Sequence, residues 1–239
     1  MERRERYWAA RRDPSLAVLE GFHALKHAIR FGAELLDVVA SEESRPEELA
    51  ADLAPDVAGG LRAVERIPAE DFAELSPSPP ATGVVALARR PPVDVAAVLA
   101  DPRPGPVVFL EEPRRLENAG AVVRVAAAAG AAGVLTSGRH DPWHPAALRG
   151  SAGLHYAVPV ARVDALPASD RPLVALDAEG IELGPGVLPS RAVAAFGTER
   201  AGLSEEVLRR ADLRMRIPMR DGVSSLNLAT AVAVVLYTR

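Results

Sequence analysis

Residues Ala194–Arg239 read AAFGTERAGLSEEVLRRADLRMRIPMRDGVSSLNLATAVAVVLYTR, and the architecture of the chain turns on this stretch. Val193 to Phe196 is a short apolar run with the composition of a buried strand, and Gly197 after it lets the backbone turn sharply or approach a ligand closely. Ser204 suits a helix N-cap, with Glu205 and Glu206 in the first turn and Arg209 and Arg210 in the last, matching the helix dipole at both ends. Leu213, Met215 and Ile217 alternate with Arg214 and Arg216, the pattern of a half-buried strand with a basic outer face. Pro218 ends it, having no N–H to give to a ladder. Ser224 or Ser225 then caps a last apolar helix, leaving free backbone N–H groups beside the amide of Asn227. Each piece is a strand end or a helix start, where ligands bind; on spacing alone the same pieces also make an ordinary capped helix closing a sheet.

Upstream, Leu16–Phe31 places Leu19, Phe22, Leu25, Ala28 and Ile29 at helical spacing, with Gly32 as its stop. Leu35 to Ala40 reads as a strand, Arg45 to Leu53 as a short helix beginning near Pro46, and Ala63 to Ile67 as a weak strand. Pro68 to Leu75 reads as another helix and Thr82 to Ala88 as a closing strand. This alternation predicts a small α/β sandwich. His23 and His27 lie one turn apart, but no further metal ligands stand nearby and surface or packing roles fit better. Proline and charge accumulate from Pro91 to Pro104, so the expected boundary separates residues 1–92 from 93–239.

In the second part, Val107 to Leu110 reads as a buried strand, followed by a loop with Arg114, Arg115, Asn118 and Gly120 and a helix ending at Gly130. Arg124 stands in that helix among Val122, Val123 and Val125. An unpaired charge is costly to bury, so it needs an anionic partner or an exit to the surface. Gly133 to Ser137 and Pro172 to Leu176 supply further strands, the latter followed by Asp177 and a turn. Glu182 to Gly186 imitates the start of a dinucleotide-binding fingerprint, but position 188 is leucine and no phosphate-cradling helix follows.

The 239 residues carry no cysteine, which excludes disulfides, thiolate metal sites and a cysteine nucleophile. Scattered histidines make a zinc site improbable. The N-terminus is charged and the most apolar internal stretch, Ala119 to Leu135, is interrupted by Arg124 and several glycines, so a soluble cytoplasmic protein without membrane segments is expected. A net charge of −4 argues against a generic polyanion binder, and any nucleic-acid site must be local. Arginines do cluster, at Arg3, Arg4, Arg6, Arg11 and Arg12 beside Tyr7 and Trp8, at Arg114 and Arg115, and from Arg209 to Arg220. The first cluster fits either an RNA-stacking surface or a solvated helix face with Trp8 tucked onto the domain.

NAGAVVRVAAAAG at Asn118–Gly130, GTERAGLS at Gly197–Ser204 and IPMRDGVSSLN at Ile217–Asn227 resemble, in order, the three signature motifs of the SpoU/TrmH family of RNA ribose methyltransferases in the SPOUT superfamily. The resemblance runs from Val107 to the end. It implies an α/β catalytic domain with a deep trefoil knot that holds S-adenosylmethionine, a homodimer packed through that domain, an RNA partner and no metal. By the same resemblance Arg124 touches the ribose 2′-hydroxyl and the adjacent phosphate, while Asn118, Glu199, Ser225 and Asn227 match the other polar catalytic positions. Thr136, Gly197, Ile217, Pro218, Ser225 and Leu226 match cofactor-binding positions. Arg114, Arg115, Arg149 and Ser151 match RNA contacts, the last two in the segment DPWHPAALRGSAG.

A guanidinium holds its proton too tightly to make a good general base, so Arg124 is read as stabilising the forming alkoxide, with a phosphate taking the proton. Arg200 stands where many relatives have glycine. LEGFHALKHAIRFGAELLDVVAS with TGVVALA is similar to the kink-turn-binding ribosomal-protein-like domain that precedes the catalytic domain in many members, quotable at Glu20, Gly21 and Gly83. The expected activity is methylation of a ribose 2′-hydroxyl in structured RNA, ribosomal before transfer RNA. Two alternatives stay open on the same fold: a silent RNA-binding or ribosome-assembly factor without cofactor affinity, and a SPOUT base methyltransferase, distinguished by where the methyl lands.

Overall fold

The computed structural model describes residues 2–61, 64–198 and 201–238. In chain order the elements are α1 (Arg3–Ala10), β1 (Leu16–Glu20), α2 (Phe22–Arg30), β2 (Leu35–Ser41), α3 (Pro46–Leu53), β3 (Glu65–Ile67), α4 (Ala69–Ala73), β4 (Val84–Arg89) and α5 (Val95–Ala100). They continue with β5 (Val107–Leu110), α6 (Leu116–Ala128), β6 (Gly133–Thr136), α7 (Pro145–Gly150), β7 (Val160–Arg162), β8 (Leu173–Glu182), β9 (Val193–Phe196), α8 (Glu205–Arg210), β10 (Leu213–Arg216) and α9 (Leu228–Tyr237). The chain divides into two compact units, Met1–Pro92 with Trp143–Ala157, and Val93–Pro142 with Val158–Arg239.

The first unit has a four-stranded sheet in the order β1-β4-β2-β3, with β4 antiparallel to both neighbours and β3 parallel to β2. Leu16–Phe31 is not one helix. Ala17, Val18 and Leu19 are all buried in β1, and Gly21 breaks the chain at φ +95° before α2 begins. Three consecutive buried residues need a strand that is covered on both faces, which the helical spacing concealed. Tyr7, Val18, Val39, Phe72, Leu75, Val85 and Leu87 form a core. Arg3, Arg4 and Arg6 lie on a solvated helix face, paired with Glu65, Glu74 and Asp37, while Arg11 is turned inward onto Glu20 and Trp8 donates through Nε1 to Glu74 O at 2.9 Å.

Trp143–Ala157, expected within the C-terminal domain, packs with this first unit. Ala147 and Leu148 of α7 are fully buried, and Gly153 at φ +78° lies so close to α2 that a Cβ there would fall 2.2 Å from Ala24 O. Tyr156 donates its hydroxyl to Arg89 O at 3.1 Å, and Arg149 pairs with the buried carboxylate of Glu20. Glu20 also accepts from Arg11 and from Ser76, each at 2.7 Å.

The second unit has a six-stranded, wholly parallel sheet in the order β10-β8-β9-β5-β6-β7. β5 and β9 are buried throughout, the mark of strands covered on both faces. β8 is longer than the sequence suggests, because it leaves the ladder and returns. Ala175 pairs with Arg214 and Ile181 with the next residue, Met215, so residues 176–180 form an excursion against a single step of β10. Gly180 permits the return, since a Cβ there would lie 2.5 Å from the Arg214 carbonyl carbon. α9 packs on α6.

Candidate active site

A parallel sheet delivers the carboxyl ends of its strands to one edge, and ligands of α/β proteins bind there. At that edge a cavity of about 480 Å³ is lined by Leu176, Asp177 and Ala178 of the β8 excursion, Phe196–Thr198 at the end of β9, and Ala201–Leu203. Ser224–Leu226 and the first turns of α9 complete it. A smaller cavity of about 160 Å³ shares the excursion, Ser224 and Leu226 and adds Met215, Ile217 and Met219.

Gly197 makes the wall possible. The loop after β9 is closed by reciprocal backbone bonds between Thr198 and Gly202, both 3.1 Å, with the Ala201 N–H donating to Thr198 Oγ1 at 3.0 Å. A Cβ on Gly197 would meet the Gly202 carbonyl carbon at 2.0 Å. On the opposite side, the backbone N–H groups of Ser224, Ser225 and Leu226 have no hydrogen-bond partner among the described residues. Open donors beside leucine and phenylalanine side chains suit a flat, partly apolar ligand with polar edges.

The cap of α9 is Asn227, not a serine: its Oδ1 accepts from the Ala229 N–H at 2.9 Å and the Thr230 N–H at 3.4 Å. That frees Ser224 and Ser225 to line the cavity. Asn227 Nδ2 donates to Asn118 Oδ1 at 3.3 Å, joining the start of α6 to the start of α9. Arg124 lies six residues further along α6, exposed and without an ion-pair partner among the described residues. At 1.5 Å per residue that is about 9 Å along the helix axis.

Of the residues expected at the cofactor, Gly197, Ser225 and Leu226 line the larger cavity and Ile217 the smaller; Pro218 lines neither. Thr136 also lies elsewhere. It is buried on β6, which β5 separates from β9, and its Oγ1 has no hydrogen-bond partner among the described residues. Glu199 and Arg200 fall outside the described residues. Of the residues expected at RNA, Arg114 and Arg115 are exposed on the loop after β5. Arg149 is engaged with Glu20, and Ser151 is fully buried, its Oγ bonded to Leu148 O and His155 Nδ1. The Arg-Gly-Ser-Ala-Gly run builds a turn within the first unit.

Glu111 was missed. Its carboxylate accepts from the Ser204 N–H at 2.7 Å and the Ser204 hydroxyl at 2.6 Å, and its own N–H donates to Phe196 O at 2.9 Å, so the β5 exit holds the loop that leads into α8. The only signal was a carboxylate directly after a buried strand. Asp177 was passed over as a turn residue; it lines both cavities and faces Arg214 at 3.6 Å. His27, on the helix surface, meets Ala152 O through Nδ1 at 2.7 Å. Among the described residues no group of three or more metal-ligating side chains is gathered, and no helix is long and apolar enough to cross a membrane.

A parallel α/β domain with a cavity walled by glycine- and serine-containing loops at its strand ends belongs to the class of architectures that bind ligands at the carboxyl ends of their strands. Residues 105–237 match the SpoU rRNA Methylase family model, and the chain belongs to that family. It is 35% identical over 206 residues to an uncharacterized tRNA/rRNA methyltransferase of Mycobacterium bovis, covering 79% of this chain and 70% of the relative. It is 23% identical to the 23S rRNA (guanosine(2553)-2'-O)-methyltransferase RlmP of Bacillus subtilis, covering 92% and 86%. The fold matches the crystal structure of the SpoU methyltransferase AviRb from Streptomyces viridochromogenes in complex with AdoMet, with a TM-score of 0.77 at 22% identity over 100% of this chain and 97% of that one.

Proposed function

We propose that this protein methylates a ribose 2′-hydroxyl of RNA, using S-adenosylmethionine bound in the cavity between the β8 excursion, the loop after β9 and the segment before α9. The observation that carries the reading is the convergence of the three motifs: Gly197 and Ser225–Leu226 line one cavity, and Asn118 of the first motif is hydrogen-bonded to Asn227 of the third. The cofactor fits by volume and by chemistry. A cavity of about 480 Å³ is within the usual range for small-molecule sites, its leucine and phenylalanine walls suit an adenine ring, and the open N–H groups of 224–226 suit its polar edges.

When bound, S-adenosylmethionine supplies a methyl group already activated by the sulfonium charge. The chain's part is to position and to stabilise. Leu176, Phe196, Leu203 and Leu226 exclude water from one side of the cavity, and Asn118 and Asn227 hold α6 and α9 in register. Arg124 lowers the energy of the 2′-oxygen as its proton leaves to a phosphate oxygen. Alignment of the reacting groups is the largest contribution, worth up to roughly 7–11 kcal/mol in ideal cases.

Ribosomal RNA is favoured over transfer RNA by the family description and by the additional N-terminal unit, which we read as an RNA-binding domain. A homodimer through the second unit is supported by an outer surface of α6 and α9 rich in small apolar residues, with Ala121, Val125, Ala233 and Val234 half-buried and Tyr237 exposed. Such a dimer could bring Arg124 to the partner's cavity. A knotted path is supported by residues 217–227, which lead from edge strand β10 past the ends of β8 and β9 to α9 on α6. An RNA substrate is found in the cytoplasm, where we place the protein.

The test is methyl incorporation from labelled S-adenosylmethionine into unmodified cellular RNA, followed by alkaline hydrolysis. A methylated 2′-oxygen cannot attack its phosphate, so label survives in an uncut dinucleotide. Arg124→Ala is expected to lose about 10²–10³ in rate with cofactor affinity intact. Label released as mononucleotide would mean base methylation, and absence of cofactor binding would leave a silent RNA binder.

A further inference from the structure

A second cleft opens at the same edge of the parallel sheet and takes no part in the site above. It has a volume of about 450 Å³ and is lined by Glu112, Pro113 and Arg114 after β5 and by Gly138, Arg139 and His140 after β6. We propose that this cleft is a phosphodiester subsite that grips the RNA strand beside the target nucleotide, with Arg114 and Arg139 as its cationic arms. The inference rests on the RNA reading above and names where the backbone is held.

The first support is the distribution of arginine partners. In the second unit Arg103, Arg191, Arg210, Arg214 and Arg216 are each paired with a carboxylate. Arg114 and Arg139 have no carboxylate partner among the described residues; Arg139 donates through Nε to its neighbour His140 at 3.4 Å. Arg162, at the end of β7, donates to Gly138 O at 3.3 Å and likewise lacks an ion pair among the described residues. Arg114 and Arg139, which follow two adjacent parallel strands, thus both line the cleft, and Arg162 of the next strand reaches its wall at Gly138 O. Unpaired guanidinium groups that converge in a concave site are suited to a phosphate, which they can bind in bidentate fashion.

The second support is the rigidity of the walls. Glu112 lies at φ +46°, in the left-handed region that non-glycine residues seldom occupy, and faces Gly138 at φ +82°. A Cβ on Gly138 would stand 3.1 Å from Glu112 Cγ. The Glu112 N–H donates to Ser137 Oγ at 3.1 Å, and the Ser137 N–H donates to Leu110 O at 3.0 Å. A backbone held this way persists only where its surroundings determine it. The Glu112 carboxylate repels a phosphate at its own end of the cleft and offers an acceptor to a base amino group there, which gives the strand a direction.

The third support is placement. Leu110 of β5 pairs with Phe196, which lines the larger cavity, and also with Thr136, the last residue of β6 and two residues ahead of Gly138 in the second cleft. With strands about 4.8 Å apart, the two openings lie about 10 Å from one another along the sheet edge, within reach of one nucleotide chain.

The experiment measures binding of the full-length protein to an unmodified 23S rRNA transcript, and in parallel to a total tRNA pool, across a potassium chloride series with cofactor present. Arg114→Ala/Arg139→Ala is compared with wild type and with Arg209→Ala, a basic change elsewhere on the surface. Each lost phosphate contact lowers the slope of log affinity against log salt by about 0.7 to 0.9, so the double variant should lose about 1.4 to 1.8. Arg114→Lys/Arg139→Lys should retain most of the slope, S-adenosylmethionine affinity by calorimetry should be unchanged, and Arg209→Ala should behave as wild type. An unchanged slope in a folded double alanine variant overturns the subsite. Slope loss with a wild type that binds RNA but transfers no methyl supports the subsite while sinking the activity, and a wild type that binds neither RNA overturns both.

Discussion

Gly197→Ala adds a single methyl group at the tightest backbone approach of the cavity proposed to hold the cofactor. That carbon would sit 2.0 Å from the Gly202 carbonyl carbon, 2.1 Å from its oxygen and 2.2 Å from Leu203 N. These are main-chain atoms, so no side chain can swing away. One remedy opens the loop and breaks the two Thr198–Gly202 backbone bonds, at about 1 kcal/mol net each. The loop must then reclose to bind cofactor, and about 2 kcal/mol corresponds to roughly a 30-fold rise in Kd. The other remedy keeps the loop closed and strains β9, at about 1–3 kcal/mol for an overpacked methyl. For a chain of this size that lowers Tm by roughly 2–12 °C. Calorimetric titration with S-adenosylmethionine and a thermal melt together capture both routes. A Gly197→Ala protein whose Kd and Tm both match wild type would refute the account of this loop.

Three further perturbations have defined outcomes. Asn227→Ala removes the cap of α9 and the bond to Asn118, and should cost about 0.5–2 kcal/mol in a denaturant melt; Asn227→Ser should restore the cap but not the bridge, recovering stability without activity. Glu20→Ala leaves Arg11 with a buried, uncompensated guanidinium whose Nε and Nη1 already lack partners among the described residues, and should destabilise the first unit by about 3–5 kcal/mol in urea. The Asp101 carboxyl is held at about 2, chiefly by the hydrogen bond from the Arg103 side chain. Because the folded value is depressed, its contribution is present above the unfolded value of about 3.9 and is lost as pH falls through about 2. Carboxyl NMR should follow that midpoint, and Arg103→Ala should move it upward toward about 3.9.

The elements most legible in the sequence were those whose signal is local. Val107–Leu110 and Val193–Phe196 have the bounds their apolar runs suggest, and Ser204 caps α8 as its spacing implies, accepting from the Val207 N–H at 3.3 Å. The errors arose where long-range pairing decides. LAVLE fits a helix by spacing, yet β1 is made by its antiparallel register with β4, from Leu16 opposite Arg89 to Glu20 opposite Val85. β8 reads as ending at Leu176 because its return to the ladder depends on Met215, far along the chain. Motif positions pointed to Gly197, Ser225 and Leu226, which line the larger cavity, and to Asn227, which caps α9, but not to Glu111, whose partner Ser204 lies 93 residues away. Ser151 looked like an RNA contact by motif and is buried by tertiary packing, which no local pattern announces.

The segment Trp143–Ala157 bears on modularity. It is threaded between β6 and β7, strands of the second unit, yet its own buried residues, Ala147, Leu148, Ser151 and His155, belong to the packing of the first. A cut at Pro92 therefore does not separate two autonomous pieces. A chain starting at Val93 would carry α7 and its turn with their inner surface open to water, and one ending at Pro92 would lack the partner that covers Glu20 and the Ala24 backbone. Exchange of the N-terminal unit between relatives by recombination at that linker would have to be matched by change in a fifteen-residue stretch far downstream. Inheritance of the two units is thereby coupled, although most of the N-terminal one is encoded ahead of the other as an uninterrupted block.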